Sequence, residues 1–269
     1  MRVYLDNAAT TKVDEAVVKA MATAMTETFG NASSIHGFGR PAHQAIEKAR
    51  AQVAALIHAQ PDEIIFTSGG TESDNTVIFG VTEAYRSKGN HIITTQVEHH
   101  AILHACEQLE KRGFTVTYLP VDEYGRVTAE QVEAAITDQT ILVSVMYGNN
   151  EVGTIMPIAE IGKVTRAKGV LFHTDAVQAA GQIPVDVVKD QVDLLTLTGH
   201  KLHGPKGSGA LYVRKGVRFK PILFGGAQEK KLRPGTENVP GIVGFGVAAE
   251  LAAQRLANDG NRKMRELRN

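Results

Sequence analysis

Apolar positions along the chain fall into two alternating rhythms. Short β-branched runs recur as EIIFTS (63–68), HIITT (91–95), TVTYL (115–119), ILVSVM (141–146), VLFHTD (170–175), DLLTLT (193–198) and GALYV (209–213). Between them stand longer stretches with helical spacing, such as PAHQAIEKARAQVAAL (41–56) and PIAEIGKVTRAKG (157–169). Such alternation predicts an α/β fold with a mostly parallel sheet flanked by helices. In sheets of that kind ligands collect beyond the carboxyl ends of the strands, where helices begin with unpaired N–H groups. The residues just after the predicted strands are Ser68 to Thr71, His99, Asn149 and Asn150, Asp175, and Thr198 to Lys201. That set is far more polar than turn formation requires.

From about Pro240 the pattern changes to a long helix or helix pair. Met264 and Leu267 are spaced as if to meet an apolar surface that residues up to 269 do not supply. This predicts a further C-terminal part.

Three stretches carry candidate chemistry. In FTSGGTESDN (66–75) a strand ends at two glycines and a helix follows, with Thr71 as N-cap and Asp74 in the capping-box position. The glycines let backbone approach a ligand and the helix start favours an anion, so the turn reads as a phosphate site or as an ordinary strand-to-helix connection. In VLFHTDAVQ (170–178), Asp175 ends an apolar strand, where it is either a helix cap or an acid facing a cation. That cation could be a protonated pyridine nitrogen, a metal or an arginine. In LLTLTGHKLHGPKGSG (194–209), Lys201 follows a buried-looking strand. A lysine among apolar walls and other cations tends toward the free amine, which can form a Schiff base with an aldehyde. His99, at another strand end, could stack on a planar ring.

Composition narrows the classes. Lys plus Arg and Asp plus Glu both total 29, which gives no footprint for nucleic acid. No run approaches the roughly 18 apolar residues of a membrane span, and the start MRVYLDNAATT lacks the apolar region of a signal peptide, so the expected compartment is the cytoplasm. The nucleotide P-loop pattern is absent, and GPKGSG has the wrong spacing for a dinucleotide fingerprint. His99, His100, His104 and His173 show no metal-binding spacing, so no metal is expected; a metal hydrolase is the weaker alternative. The single cysteine, Cys106, shares a stripe with Ile102, Ala105 and Leu109, which predicts a buried inert thiol.

Taken together, YLDNAATT, GNASSIHGFGR, FTSGGTESDN, VEHHA, GNNEVGT, HTDAVQAAG, TGHKLHGPKGSGALYV and RPGTENVPGIVG, in this order, resemble the cysteine desulfurase family. These are pyridoxal-phosphate enzymes of fold type I in the class V aminotransferase group. The resemblance implies the pyridoxal-phosphate-dependent transferase large domain at 14–256, an N-terminal segment at 1–13 associated with the small domain, and at 257–269 the start of a truncated C-terminal domain, most of which is absent. It implies that Lys201 carries pyridoxal 5′-phosphate as a Schiff base, that Asp175 pairs with the pyridine nitrogen, and that His99 stacks on the ring and joins Lys201 in catalysis. Gln178 and Asn150 would hold the ring's phenolic oxygen and its surroundings. Gly70, Thr71, Thr198 and His200 would bind the phosphate, and Thr236 would reach the phosphate of a neighbouring subunit in a homodimer.

The implied reaction converts L-cysteine to L-alanine and passes sulfur, through a mobile enzyme thiol, to an acceptor or scaffold protein for iron–sulfur cluster or thio-cofactor assembly. The family places that thiol, and an arginine for the substrate carboxylate, in its C-terminal third. Cys106 does not match the thiol's position. The sequence therefore leaves three readings open: an incomplete desulfurase, half of a split enzyme, or a cofactor-loaded assembly module without turnover.

Overall fold

A computed structural model describes residues 1–268. Its centre is a seven-stranded sheet made of β1 (Ile64–Thr67), β2 (His91–Thr95), β3 (Thr115–Leu119), β4 (Thr140–Ser144), β5 (Leu171–Asp175), β6 (Leu194–Thr198) and β7 (Gly209–Val213). The spatial order is β1-β7-β6-β5-β4-β2-β3. The five strands from β3 to β6 are mutually parallel, whereas β7 runs antiparallel to both β6 and β1. All seven predicted strands are present, and the antiparallel β7 makes the sheet mixed.

Helices cover both faces. One side carries α1 (Glu15–Thr26), α2 (Gly39–Leu56), α7 (Ile158–Lys168) and α8 (Val239–Ala257); the other carries α5 (His100–Glu110). The remaining α-helices are α3 (Gly70–Asn75), α4 (Thr82–Tyr85), α6 (Ala129–Ala135) and α9 (Arg262–Arg268), with a π-helical segment, Thr76–Val81, joining α3 to α4. Side chains alternate across a strand, and two hydrophobic clusters follow that alternation. Ile64, Phe66, Ile93, Leu195, Leu197, Ala210 and Tyr212 enter one cluster; Ile65, Ile92, Leu194, Leu211 and Val213 enter the other. Strands β4 and β6 are buried along their whole length, as parallel strands covered on both faces must be.

Local signals set the helix boundaries. Asp14 caps α1, the Thr128–Gln131 capping box opens α6, Asn238 caps α8, and Gly169 ends α7 in the left-handed conformation at φ 69°. Helix α2 buries Ala42, Ile46, Ala49 and Val53 along one stripe, and Arg50 lies buried beside them. Its guanidinium donates to both carboxylate oxygens of Glu229 at 2.9 and 2.7 Å and to the Ile64 carbonyl at 2.9 Å. Such a pair is tolerated in a core because every strong donor has an acceptor. The expected C-terminal helix pair is α8 and α9, and Met264 and Leu267 on α9 are exposed. No described helix is long and apolar enough to cross a membrane.

Candidate active site

The carboxyl ends of the central strands open into a cavity of about 490 Å³. Nine of the ten residues singled out in the sequence line it: Gly70, Thr71, His99, Asn150, Asp175, Gln178, Thr198, His200 and Lys201. Thr236 does not; it is exposed, on the loop before α8.

Lys201 ends the short helical turn Gly199–Lys201 that follows β6. Its Nζ donates to the carbonyls of Ala8 and Ala9, the latter at 2.9 Å. Burial pushes its ammonium below the ordinary lysine range, and Asp175 and Asp6 pull it partly back. Asp175 is buried at the end of β5 and accepts the Val177 N–H at 2.9 Å. Burial raises its pKa against the pull of that N–H, of His99 and of Lys201. Among the described residues it has no ion pair within 4 Å.

His99 precedes α5 and caps it, its Nδ1 accepting the Ala101 N–H at 3.1 Å, which leaves the hydrogen on Nε2 and the ring exposed. His200 stands 3.2 Å through Nδ1 from Thr10 Oγ1; burial lowers its pKa, and Lys201 and Lys206 lower it further. The second imidazole of the turn has a different task. His203, at φ 64°, donates its backbone N–H to Thr11 Oγ1 at 2.8 Å and accepts the Asp14 N–H at its carbonyl, fastening the N-terminal segment across the end of β6. Gln178 Nε2 donates to the Ala8 carbonyl at 3.0 Å, and Asn150 Nδ2 donates to Glu151 Oε1 at 2.5 Å.

The turn after β1 differs from the sequence expectation. Helix α3 begins at Gly70, not after Thr71, and its cap is Gly69, which uses no side chain. Gly69 has φ 155° and ψ −177°, a conformation open to glycine almost alone. The capping role expected of Asp74 falls to Glu72, whose carboxylate accepts the Ser68 N–H at 3.0 Å and the Arg233 guanidinium at 2.7 and 3.1 Å. Asp74 is fully buried and faces the cavity floor. The first-turn N–H groups of Gly70 and Thr71 have no intrahelical acceptor, as at any helix start.

Cys106 is fully buried on α5 beside Ile102, Ala105 and Leu109. Burial, with Glu98, Glu110 and Glu107 behind it, pushes its thiol up to about 12. A neutral thiol in the core cannot act as a nucleophile. Among the described residues no group of three or more His, Cys, Asp or Glu side chains is placed to hold a metal.

A family model described as aminotransferase class-V matches residues 3–268. The cysteine desulfurase IscS of Methanosarcina thermophila is 56% identical over 266 residues, covering 99% of this chain and 66% of that protein. A solved NifS-like protein superposes with a TM-score of 0.97 at 45% identity, covering all of this chain and 74% of its own. The chain belongs to the cysteine desulfurase family, among the class V aminotransferases. A second solved structure, described as SspA in complex with cysteine, has a TM-score of 0.90 at 42% identity and covers 93% of this chain and 72% of its own. The chain thus spans about two thirds of the length of the relatives it matches.

The cofactor of this family is pyridoxal 5′-phosphate, and the cavity suits it. A buried carboxylate without a bound cation, an amine with a weakened hold on its proton, an exposed imidazole face and a glycine turn at a helix start are the complements of a pyridinium, an aldehyde, a flat ring and a phosphate. Sequence reasoning missed Asp6, Ala8, Ala9, Asp74 and Met146 on the cavity's lining. YLDNAATT was visible as a segment, but its docking against residues 200–203, some 190 positions away, has no local signature.

Proposed function

We propose that the chain is the cofactor-binding body of a cysteine desulfurase acting on L-cysteine. The observation that carries this reading is the convergence of Lys201, Asp175 and His99, from three strand ends, on one cavity with the Gly69–Thr71 turn. Bound there, pyridoxal phosphate supplies an aldehyde and an electron-accepting pyridine ring.

The protein's own groups then divide the work. Lys201 Nζ, which donates to the Ala8 and Ala9 carbonyls, would be the amine that anchors the cofactor and a base for protons at the substrate α-carbon. Asp175, its carboxylate oriented by the Val177 N–H, would pair with the ring nitrogen. His99, kept in one tautomer by the Ala101 N–H, would stack on the ring. Gly70 and Thr71 would offer backbone donors to the phosphate, joined by the Thr198 and His200 side chains. Asn150 and Gln178 would hold the ring oxygen. Thr236, exposed and outside the cavity, suits a role across a homodimer interface.

In the overall reaction the Cβ–S bond of cysteine breaks, alanine leaves, and the sulfur bonds to a thiol as a persulfide. Residues 1–269 hold one cysteine and its thiol is buried, so these residues do not supply the sulfur acceptor. The same observation favours a second reading, a cofactor-loaded body that pairs with another chain and turns over nothing alone. Under either reading 14–256 is the large domain and the setting is cytoplasmic, with a sulfur acceptor or scaffold protein as partner in iron–sulfur or thio-cofactor assembly.

The test is the visible spectrum of the purified chain with pyridoxal phosphate, before and after L-cysteine, with alanine release measured alongside. A cofactor band that changes with cysteine supports the substrate. Alanine release with an added small thiol supports the desulfurase; a spectral change without alanine supports the assembly module. A colourless protein that takes up no cofactor refutes both.

A further inference from the structure

Three carboxyl groups lie buried near one another at the cavity, Asp74 and Asp175 on its lining and Glu98 behind it, bonded to the N–H of the lining residue Met146. Asp74 is 1% exposed, Glu98 5% and Asp175 7%. Asp175 alone of the three faces the Lys201 amine and the His99 ring, and its Oδ1 is held by the Val177 N–H. Glu98 Oε1 accepts from Thr95 Oγ1 at 2.8 Å and from the Met146 N–H at 2.9 Å, while its Oε2 has no partner. Asp74 Oδ1 has none either. Its nearest basic atom, His173 Nε2, lies 3.8 Å away, beyond hydrogen-bond reach.

His173 cannot neutralise Asp74. It is fully buried on β5, with Nδ1 2.8 Å from Ser144 Oγ and Nε2 3.1 Å from Thr196 Oγ1. Strand register places Ser144 opposite His173 and Thr196 opposite Asp175, so this row of hydroxyls and imidazole runs along the sheet beneath the cavity. Burial pushes the His173 imidazole down to about 3, which keeps it uncharged. Three anions would then face one lysine in a water-poor site, with only neutral donors at hand and one oxygen of Asp74 and of Glu98 without any; buried carboxylates lacking a cation are far more costly than the same groups protonated.

We propose that Asp74 and Glu98 serve as uncharged carboxylic acids behind the cofactor, carrying protons on their unpartnered oxygens and leaving Asp175 as the only anion of the three. They are positioning residues, acting through Asp175 to fix a single negative charge opposite the ring nitrogen. The direction of titration agrees: burial raises both acids and the charge of Asp175 raises them further, against the lowering pull of the Thr196 hydroxyl on Asp74 and of the Met146 N–H and Thr95 hydroxyl on Glu98.

The charge assignment stands apart from the pyridoxal-phosphate reading, and only the positioning role rests on it; the test therefore has two arms. The first uses cofactor-free protein at pH 6 and infrared difference spectra against Asp74→Asn and Glu98→Gln. Each amide should remove a deuterium-sensitive carbonyl band of a protonated acid; loss of a carboxylate band instead would overturn the proposal. Should an amide variant not fold, wild type labelled with ¹³C-aspartate or ¹³C-glutamate must show that protonated-acid band shifted, and its absence overturns the assignment equally. The second arm titrates pyridoxal phosphate by its visible band. The amide variants should bind within about twofold of wild type, since they replace a neutral group by a neutral isostere, whereas Asp175→Asn should weaken binding by about tenfold or more. Amides as damaging as Asp175→Asn would overturn the single-anion arrangement. Failure of wild type itself to bind would overturn the positioning role and the cofactor reading together, while the infrared arm still decides the charge state.

Discussion

Glu98 and Cys106 show how burial decides what a residue can do near the cavity. Burial raises Glu98 to about 8, opposed by the hydrogen bonds from Met146 and Thr95 and reinforced by Asp175. In the unfolded chain the same group titrates near 4.5. Between those values the folded state holds a proton that the unfolded state has lost, so stability is complete below about pH 4.5 and falls as pH rises toward 8. The Glu98 contribution is a loss of up to about 1.4 kcal/mol per pH unit. Urea unfolding of wild type and Glu98→Gln at pH 5 and pH 8 should show a fall in the difference between them of that sign, and parallel pH profiles would contradict it. Cys106 gives a simpler test. An aromatic disulfide reagent should leave the native thiol unlabelled and label it on unfolding, and Cys106→Ala should destabilise by about 1 kcal/mol while leaving cofactor uptake intact. Rapid labelling of native protein would contradict the core placement.

Helix α3 carries more than its six residues suggest, because Glu72 in its first turn bonds Arg233 and Asn75 at its end donates to the Ala101 carbonyl. Its first turn faces the proposed phosphate position, yet contains Glu72, whose charge would repel an anion. Burial favours protonating Glu72, but the hydrogen bonds from Arg233 and Ser68 outweigh it and hold the carboxyl below its ordinary range. The guanidinium thus offsets the charge of Glu72 and ties the turn to the loop that carries Thr236. Arg233→Ala, which leaves Glu72 unpaired beside the turn, should weaken pyridoxal-phosphate binding about tenfold, and Glu72→Gln in the same chain should recover most of the loss. Equal binding by wild type and Arg233→Ala in a visible titration would contradict this account of the turn.

At the scale of the whole molecule, cofactor and fold are linked. A ligand that binds the folded state alone stabilises it by about 2.7 kcal/mol at a hundredfold excess over Kd, which for a domain of this size raises Tm by about 5–10 °C. A melting temperature insensitive to pyridoxal phosphate would contradict specific binding in the cavity. Much of this molecule was legible in its sequence, for physical reasons. Buried parallel strands are rich in apolar and β-branched residues on both faces, so DLLTLT and ILVSVM announce themselves, and polar residues at the ends of such runs mark the cavity, as Asp175 and Lys201 do. What stayed hidden depends on contacts between distant residues. The reversed direction of β7 is set by pairing with β1 and β6, and the surroundings of Asp74 by distant strands and two further acids, Asp175 and Glu98, that its neighbours in sequence do not reveal.

The central claim is that the Lys201 amine anchors the cofactor. Its most direct test is borohydride reduction of the chain loaded with pyridoxal phosphate, followed by proteolysis and mass spectrometry. A phosphopyridoxyl group on Lys201, absent from Lys201→Ala, is the predicted result; a group on Lys206 with Lys201 unmodified would contradict the account.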